Sequence, residues 1–487
     1  MSKIKRSTTS YEATWDRFTA LPATLAQPYN NQYSTCYNAR LSMLRKRCLG
    51  SATNKIVDRI IELKENIPST AVGTIVKSTP GRPIPDTAYH SSYEGVSYLG
   101  TPFSADDNEE PFRTYCDDKD SIVLEDESGR VELTGDIDID GLATGVVVAV
   151  EGVVGATGIM TVSKVHFPEM GAQESADDSI PDDVTILLVS GLDCGGTDAS
   201  VSLKREMLID YVTGHFAADQ GSNIARVIIA GGGCTKPIKP DNLSPFGNWA
   251  SSKKKVNEDT SNVTLPIREL DLFLGELCAS GVPVDYIPGL HDPTNANWPQ
   301  KALHVCLLPN SGSFVNMLSR SPNPYEAKIG GKCFLGSDGL NITDLRRFIA
   351  KKIVQKNEDE VDDEGNMIEP SVEMKEMRSL EALECSLKLN HIAPTGPDSL
   401  PTFPFKESDP FVIEQTPHVY FAGNCDDFGT KLVEYEGAKT RLICIPSFET
   451  TGQAVLMNLK SMECTTVEFG DVQGSSMQEG DEKKMEE

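Results

Sequence analysis

Val184-Thr-Ile-Leu-Leu-Val-Ser-Gly-Leu-Asp193 decides the fold of this 487-residue chain. Its apolar residues run on without alternation, as in a strand buried on both faces, and a glycine-bearing turn closes the run. The same pattern returns at Arg226-Val-Ile-Ile-Ala-Gly-Gly-Gly233, at Val282-Pro-Val-Asp-Tyr-Ile-Pro-Gly-Leu-His-Asp292 and at His418-Val-Tyr-Phe-Ala-Gly-Asn-Cys-Asp426. Apolar stripes at helical spacing lie between the first three: Leu203, Met207, Leu208, Tyr211 and Val212, then Leu270, Phe273, Leu274 and Leu277. Strand alternating with helix predicts an α/β layered domain over residues 184–467 with a largely parallel core. Towards its end, His418–Gly423, Thr440–Ile445 and Ala454–Leu459 follow one another without helical stripes. They predict a second, antiparallel-leaning sheet packed on the first. Residues 236–263 and 354–373 read as surface insertions.

Upstream, the texture changes. Gly73-Thr-Ile-Val-Lys77 reads as a short strand, residues 121–135 as a hairpin turning at Glu127-Ser128-Gly129, and Gly145–Gly152 and Ile159–Phe167 as two further strands. Several short strands in about a hundred residues suit a small OB-type β-barrel over residues 66–170. Barrels of this kind often bind single strands on a basic groove. Here the hairpin and its sequel carry Glu125, Asp126, Glu127, Glu132, Asp136, Asp138 and Asp140, so a protein-binding or structural role is expected. Residues 171–183 form an acidic linker, and residues 468–487 an acidic tail expected to be disordered. Residues 1–65 begin polar; Leu41, Leu44 and Cys48, then Ile56, Ile60, Ile61 and Leu63, predict two helices broken at Gly50-Ser51 and packed on the next domain.

Composition narrows the function. Length alone predicts about three domains. With 45 Lys plus Arg against 72 Asp plus Glu, the net charge is −27, which disfavours a broad grip on nucleic acid. No apolar run reaches membrane-spanning length, and Met1–Ser10 offers no secretory apolar stretch. The 12 cysteines are scattered singly without a Cys-x-x-Cys, as reduced thiols of an intracellular protein are. There is no phosphate-binding Gly-x-x-x-x-Gly-Lys loop, no His-Glu-x-x-His and no Gly-x-Ser-x-Gly.

Ligands of open α/β sheets collect beyond the strand ends, which here are the four glycine turns. Their order resembles that of the calcineurin-like metallophosphoesterases, whose turns read roughly Asp-x-His, Gly-Asp, Gly-Asn-His-Asp and Gly-His-x-His. That chemistry needs two metals about 4 Å apart, held by carboxylates and imidazoles. In this chain Gly191 stands where the first Asp belongs and Asp193 replaces the His. Gly232 stands where the metal-bridging Asp belongs. Leu290 replaces Asn, with His291 and Asp292 kept, and Asn424 and Asp426 replace both closing imidazoles. The expectation is a degenerate phosphoesterase-like domain without catalytic residues, metal or cofactor. A metal-dependent phosphodiesterase or exonuclease, using Asp193, His291, Asp292 and Asp426 in an atypical site, is the alternative. His391 reads as a hydrogen-bonded core or turn residue.

Three longer stretches carry a second resemblance: residues 289–304 (Gly-Leu-His-Asp-Pro-Thr-Asn-Ala-Asn-Trp-Pro-Gln-Lys-Ala-Leu-His), residues 389–400 (Leu-Asn-His-Ile-Ala-Pro-Thr-Gly-Pro-Asp-Ser-Leu) and residues 409–424 (Asp-Pro-Phe-Val-Ile-Glu-Gln-Thr-Pro-His-Val-Tyr-Phe-Ala-Gly-Asn). They resemble the non-catalytic B-subunit family of eukaryotic replicative DNA polymerases, in its polymerase delta branch, over residues 35–467. The resemblance implies a nuclear accessory subunit that binds the cysteine-rich C-terminal domain of the catalytic subunit. It further implies a bridge to a third, elongated subunit that reaches the sliding clamp, with DNA touched weakly or through the complex.

Overall fold

In the first large sheet, the central strands feed two separate cores. The computed structural model describes residues 6–19, 31–50, 52–82, 113–176, 180–216, 218–236, 256–355 and 371–470. Its strands are β1 (Tyr11–Ala13), β2 (Lys55–Ile56), β3 (Ser69–Ser78), β4 (Ser121–Glu125), β5 (Arg130–Gly135), β6 (Val147–Val154), β7 (Met160–His166), β8 (Thr185–Val189), β9 (Ile224–Ala230), β10 (Val284–Ile287), β11 (Leu318–Arg320), β12 (Tyr325–Ile329), β13 (Lys332–Ser337), β14 (Ala350–Gln355), β15 (Ser371–Glu376), β16 (Val419–Cys425), β17 (Gly429–Tyr435), β18 (Ala438–Pro446), β19 (Gln453–Asn458) and β20 (Cys464–Glu468).

The first sheet runs β11-β10-β9-β8-β19-β20, with β8 to β11 parallel. Leu187, Val189, Val227, Ile229, Val284 and Tyr286 point to one core with the helices Ala199–Thr213 and Val256–Ala279. Ile186, Leu188, Ile228, Ala230 and Ile287 point the other way, into a core shared with the second sheet. Continuous apolar strands are what such two-sided burial requires. The helix Ala199–Thr213 is capped by Asp198 accepting from the Ser200 amide, and Gly214 ends it in the left-handed conformation. Of its expected stripe, Leu203 is exposed instead, and Val201 and Ile209 are buried.

The second sheet runs β1-β12-β13-β16-β18-β17. Phe334, Val419, Phe421, Ile443 and Ile445 face the first sheet. Leu335, Tyr420, Ala422, Leu442 and Cys444 face the helices Leu340–Arg346 and Ser379–Lys388. The expected antiparallel lean holds at its flanks, where β1–β12, β12–β13 and β17–β18 pair antiparallel. The centre of this sheet, β13, β16 and β18, is parallel, because the β17–β18 hairpin places β18 beside β16 and leaves β17 on the edge. Ala454–Leu459 belongs to the first sheet, where β19 pairs antiparallel with β8. Consecutive strands without helices need not be neighbours.

Between residues 69 and 166, β3 pairs with β4 and with β6, β4 with β5, β5 with β7, and β7 with β6, so the pairing closes into a ring. Ile75, Ile122, Leu124, Leu133, Val148 and Met160 are buried in its interior.

Only one of the two expected N-terminal helices forms, Ser34–Cys48. Residues 55–62 are instead β2, parallel to β3, and a 3-10 turn at Ile60–Glu62. Asp126 of the barrel hairpin accepts from the Ile60 amide, and Ile60 is buried while Ile61 is exposed. Apolar spacing of four and five had helical period without helical burial. Ahead of this, residues 6–19 strap the α/β unit. Arg6 donates to the Gly221 and Val212 carbonyls, β1 pairs with β12, and Tyr11 lies under the Arg226 guanidinium at 3.6 Å.

The insertions are shorter than their sequence bounds. Residues 256–263 already belong to the helix Val256–Ala279, and β14 and β15 form an antiparallel hairpin; residues 237–255 and 356–370 lie outside the described residues. So do residues 177–179 of the acidic linker and 471–487 of the tail. Among the described residues, no helix is long and apolar enough to cross a membrane, and all twelve cysteines are free.

Helix Ser34–Cys48, barrel and α/β unit meet at Arg40, which is 1% exposed. Its Nε donates to Asp409 Oδ2 at 2.8 Å, Nη1 to the carbonyls of Gly145 (2.9 Å) and Pro394 (2.8 Å), and Nη2 to that of Gly396 (2.6 Å). His391 Nε2 lies 2.9 Å from the same Asp409 oxygen, and His391 Nδ1 accepts from the Ala393 amide at 3.2 Å. A neutral imidazole carrying its proton on Nε2 satisfies both bonds. Burial, with Arg40 beside it, pushes the His391 imidazole down to about 4. Burial alone would raise the Asp409 carboxyl, but Arg40 and His391 outweigh it and hold it well below the usual carboxylate range. On β3 of the barrel, Lys77 donates to the Phe348 carbonyl at 2.9 Å and pairs with buried Asp120 at 3.3 Å.

Two outcomes follow for this junction. Arg40→Met leaves Asp409 buried without its cation and lowers stability by about 3–5 kcal/mol in urea unfolding, helix and barrel signals shifting together. Since the folded chain resists protonating His391, the unfolded chain binds more protons between about pH 6.5 and about 4. Stability therefore falls as pH drops through that window, and His391→Gln flattens the loss by roughly 3 kcal/mol in paired unfolding curves at pH 7 and 4.

Candidate functional site at the strand-end turns

The four turns expected from the sequence do converge. They follow β8 (Ser190 to Cys194), β9 (Gly231 to Cys234) and β10 (Gly289 to Asp292), and close β16 (Gly423 to Asp426). The first two are laced together: amides of Gly191, Asp193 and Cys194 donate to the carbonyls of Gly231 (2.9 Å), Gly232 (3.2 Å) and Gly233 (2.9 Å). Asp292 ties the second turn to the third. Its Oδ2 accepts from the Gly289 amide at 2.7 Å and its Oδ1 from the Cys234 amide at 2.9 Å, and it is buried.

Asn424 closes the middle. Its backbone is left-handed, with φ 49°. Its amide donates to Ser190 Oγ at 2.8 Å, and its side-chain Nδ2 to the carbonyls of Asp338 (2.8 Å) and Ala230 (3.3 Å). The Asn424 Oδ1 lies where a side chain at Gly232 would begin: a Cβ there would stand 2.7 Å from it and 2.9 Å from the Gly191 Cα. Gly232 also has φ +68°, a conformation that costs other residues about 1–2 kcal/mol.

The remaining positions point elsewhere. Asp426 is drawn outward to Arg346 at 2.8 Å with its side chain 69% exposed. His291 is exposed, and Leu290 packs against the core. Asp193 has a left-handed backbone, and its carbonyl accepts from Arg205 at 2.8 Å. Where a dinuclear centre needs carboxylate and imidazole, the chain places backbone and an amide. Among the described residues, no group of three or more His, Cys, Asp or Glu could hold a metal ion. These residues do not fit a two-metal site.

Sequence reasoning missed the polar chain beneath the turns. Asp338 is buried and accepts from Asn323 Nδ2 at 2.8 Å, and the same Nδ2 donates to Gln300 Oε1 at 2.8 Å. Gln300 Nε2 in turn reaches the Gly289 carbonyl at 3.4 Å. Burial raises the Asp338 carboxyl to about 6, against donation from Asn323. The signal was present, because Lys332–Ser337 is a fifth strand ending in Asp338-Gly339, the same strand-then-glycine grammar as the others. Away from the turns, Glu125, Glu127, Glu132, Asp136 and Asp138 are exposed on the barrel, whereas Asp126 caps its hairpin and Asp140 is buried. His391, as expected, is a hydrogen-bonded core residue.

Comparison with known proteins sets this geometry in a family. Residues 186–430 match the family model for the B subunit of DNA polymerase alpha/epsilon, and residues 32–165 that for the DNA polymerase delta subunit OB-fold domain. The chain belongs to the B-subunit family of DNA polymerases. A relative from Oryza sativa subsp. japonica, described as DNA polymerase delta small subunit, is 32% identical over 91% of this chain and 93% of its own length. One of the same description from Saccharomyces cerevisiae is 30% identical over 91% of this chain and 90% of its own. DNA polymerase delta subunit 2 of Drosophila melanogaster is 32% identical over 74% of this chain and 76% of its own.

Two substitutions probe the packed turns. Gly232→Asp introduces a carboxylate where the packing leaves no space for it. It is expected to lower the melting temperature, by a stability loss of at least about 2 kcal/mol, without producing manganese-dependent phosphodiester hydrolysis. For Asp338 the folded pKa is raised, so its contribution to stability is present at low pH and lost as pH rises through about 6. Asp338→Asn is therefore expected to stabilise at pH 8, by roughly 2–3 kcal/mol, and to make no difference near pH 4.

Proposed function

We propose that this chain is the non-catalytic accessory subunit of a nuclear DNA polymerase of the delta type. In this reading an OB-type barrel and a degenerate phosphoesterase domain form one scaffold. The scaffold docks the cysteine-rich C-terminal domain of the catalytic subunit and bridges to a third, elongated subunit that reaches the sliding clamp, in replication and repair synthesis. The observation that carries the reading is the packing of Asn424 and Gly191 against Gly232. A hydrolase cannot spare the bridging carboxylate, whereas a scaffold gains close backbone contact from its loss. The junction at Arg40 supports it from another side, since a bridge transmits position only if its own parts stay fixed. The exposed carboxylates of the barrel hairpin disfavour a direct grip on single-stranded DNA.

Reconstitution of the full chain with a delta-type catalytic subunit tests this. The two are expected to co-purify, and clamp-dependent primer extension by the complex to exceed that of the catalytic subunit alone. The triple variant Asp193→Asn, His291→Ala, Asp426→Asn should keep that stimulation within about twofold, since none of the three side chains joins the packing at Gly232. Failure to co-purify, or a loss beyond tenfold with the fold intact by circular dichroism, would overturn the reading.

A further inference from the structure

Five Ser-Pro or Thr-Pro steps occur in the chain, at Thr79, Thr101, Ser244, Ser321 and Thr416. Thr79-Pro80-Gly81-Arg82 is the one with a basic residue three positions after the acceptor. Ser321 and Thr416 are buried, and Thr101 and Ser244 lie outside the described residues. Thr79 directly follows β3 and is half-buried, while Pro80 and Gly81 are exposed. The four residues form a turn closed by the Arg82 amide donating to the Thr79 carbonyl at 3.0 Å. Arg82 in turn spans to the α/β unit. Its Nη1 donates to Asp398 Oδ2 at 2.8 Å and its Nη2 to the Asp398 carbonyl at 3.2 Å, and its guanidinium stands 5.3 Å over the Phe348 ring. This pair is open to solvent, with side chains 37% and 34% exposed.

We propose that Thr79 is a phosphate-acceptor site for a proline-directed protein kinase that reads a basic residue three positions on, and that the phosphate draws Arg82 from Asp398. In the transfer, the Thr79 Oγ1 forms a bond to the γ-phosphorus of a nucleoside triphosphate as the bond to the bridging oxygen breaks. The nucleoside diphosphate leaves, and the hydroxyl proton passes to the base of the kinase. The product carries about −1.5 to −2 charges in the same turn as Arg82, against the single charge of Asp398. Three phosphate oxygens bind a guanidinium more strongly than one screened carboxylate does. The contact so exchanged lies two residues along the chain from Gly396, whose carbonyl Arg40 holds. Modification thus loosens the barrel from the α/β unit at the edge of their junction. The inference does not depend on the polymerase reading.

The test incubates the full chain with a cyclin-dependent kinase and ATP, and maps phosphate by mass spectrometry. Phosphate is expected at Thr79, abolished by Thr79→Val and reduced at least tenfold in rate by Arg82→Ala, with folding checked by circular dichroism. Asp398→Asn, which frees Arg82 for the kinase without removing it, should raise the rate several-fold. No phosphate at Thr79, or a rate indifferent to both Arg82→Ala and Asp398→Asn, would overturn the proposal.

Discussion

A buried guanidinium holds this molecule together. Arg40 joins three parts of the chain: it sits on an N-terminal helix, bonds a barrel carbonyl at Gly145, and bonds Asp409, Pro394 and Gly396 of the α/β unit. Separating any of these parts would leave an ion in a poorly solvated interior with its partners gone, at a cost of several kcal/mol. Asp409 is fixed from the other side by His391, which must stay neutral to serve as donor and acceptor together. Lys77, on β3 of the barrel, repeats the device with Asp120 and the Phe348 carbonyl. Charges placed at junctions make poor glue compared with apolar contact, but they specify one arrangement.

That fixed arrangement gives the strand-end turns their meaning. Three parallel strands and one strand of a second sheet deliver four turns to one place, the geometry in which α/β folds commonly bind ligands. Here the turns bond to each other. Asp292 spends its oxygens on the Gly289 and Cys234 amides, and Asn424 spends its side-chain amide on the Ala230 and Asp338 carbonyls, at strand ends of the two different sheets. Both side chains at the centre are thus satisfied by backbone, and the remaining space at Gly232 is smaller than a side chain.

The strands of the α/β unit were legible because burial on two faces leaves an unmistakable mark: Val184–Val189 and Arg226–Ala230 contain hardly a polar side chain. The glycine turns, and the residues they carry at Gly191, Gly232, Asn424 and Asp426, could be read directly. Sheet membership could not. Ala454–Leu459 looks like Thr440–Ile445 in sequence, and only a hairpin at β17–β18 and long-range pairing with β8 separate them. Helical spacing misled at Ile56 to Leu63, where the barrel wall decided the local structure. The Asp338–Asn323–Gln300 chain escaped because its members are far apart in sequence and each is unremarkable alone. Arg40 escaped for the same reason, since nothing in a helix rich in Arg and Lys marks which one goes inside.

The turns bond to one another, and among the described residues their side chains assemble no group that could hold a metal ion. Titrating the full-length chain with manganese at neutral pH in a calorimeter is the sharpest test of that statement. No saturable binding is expected in the micromolar range. Saturable binding approaching two equivalents, lost on substituting Asp193, His291 and Asp292 in a folded protein, would contradict it.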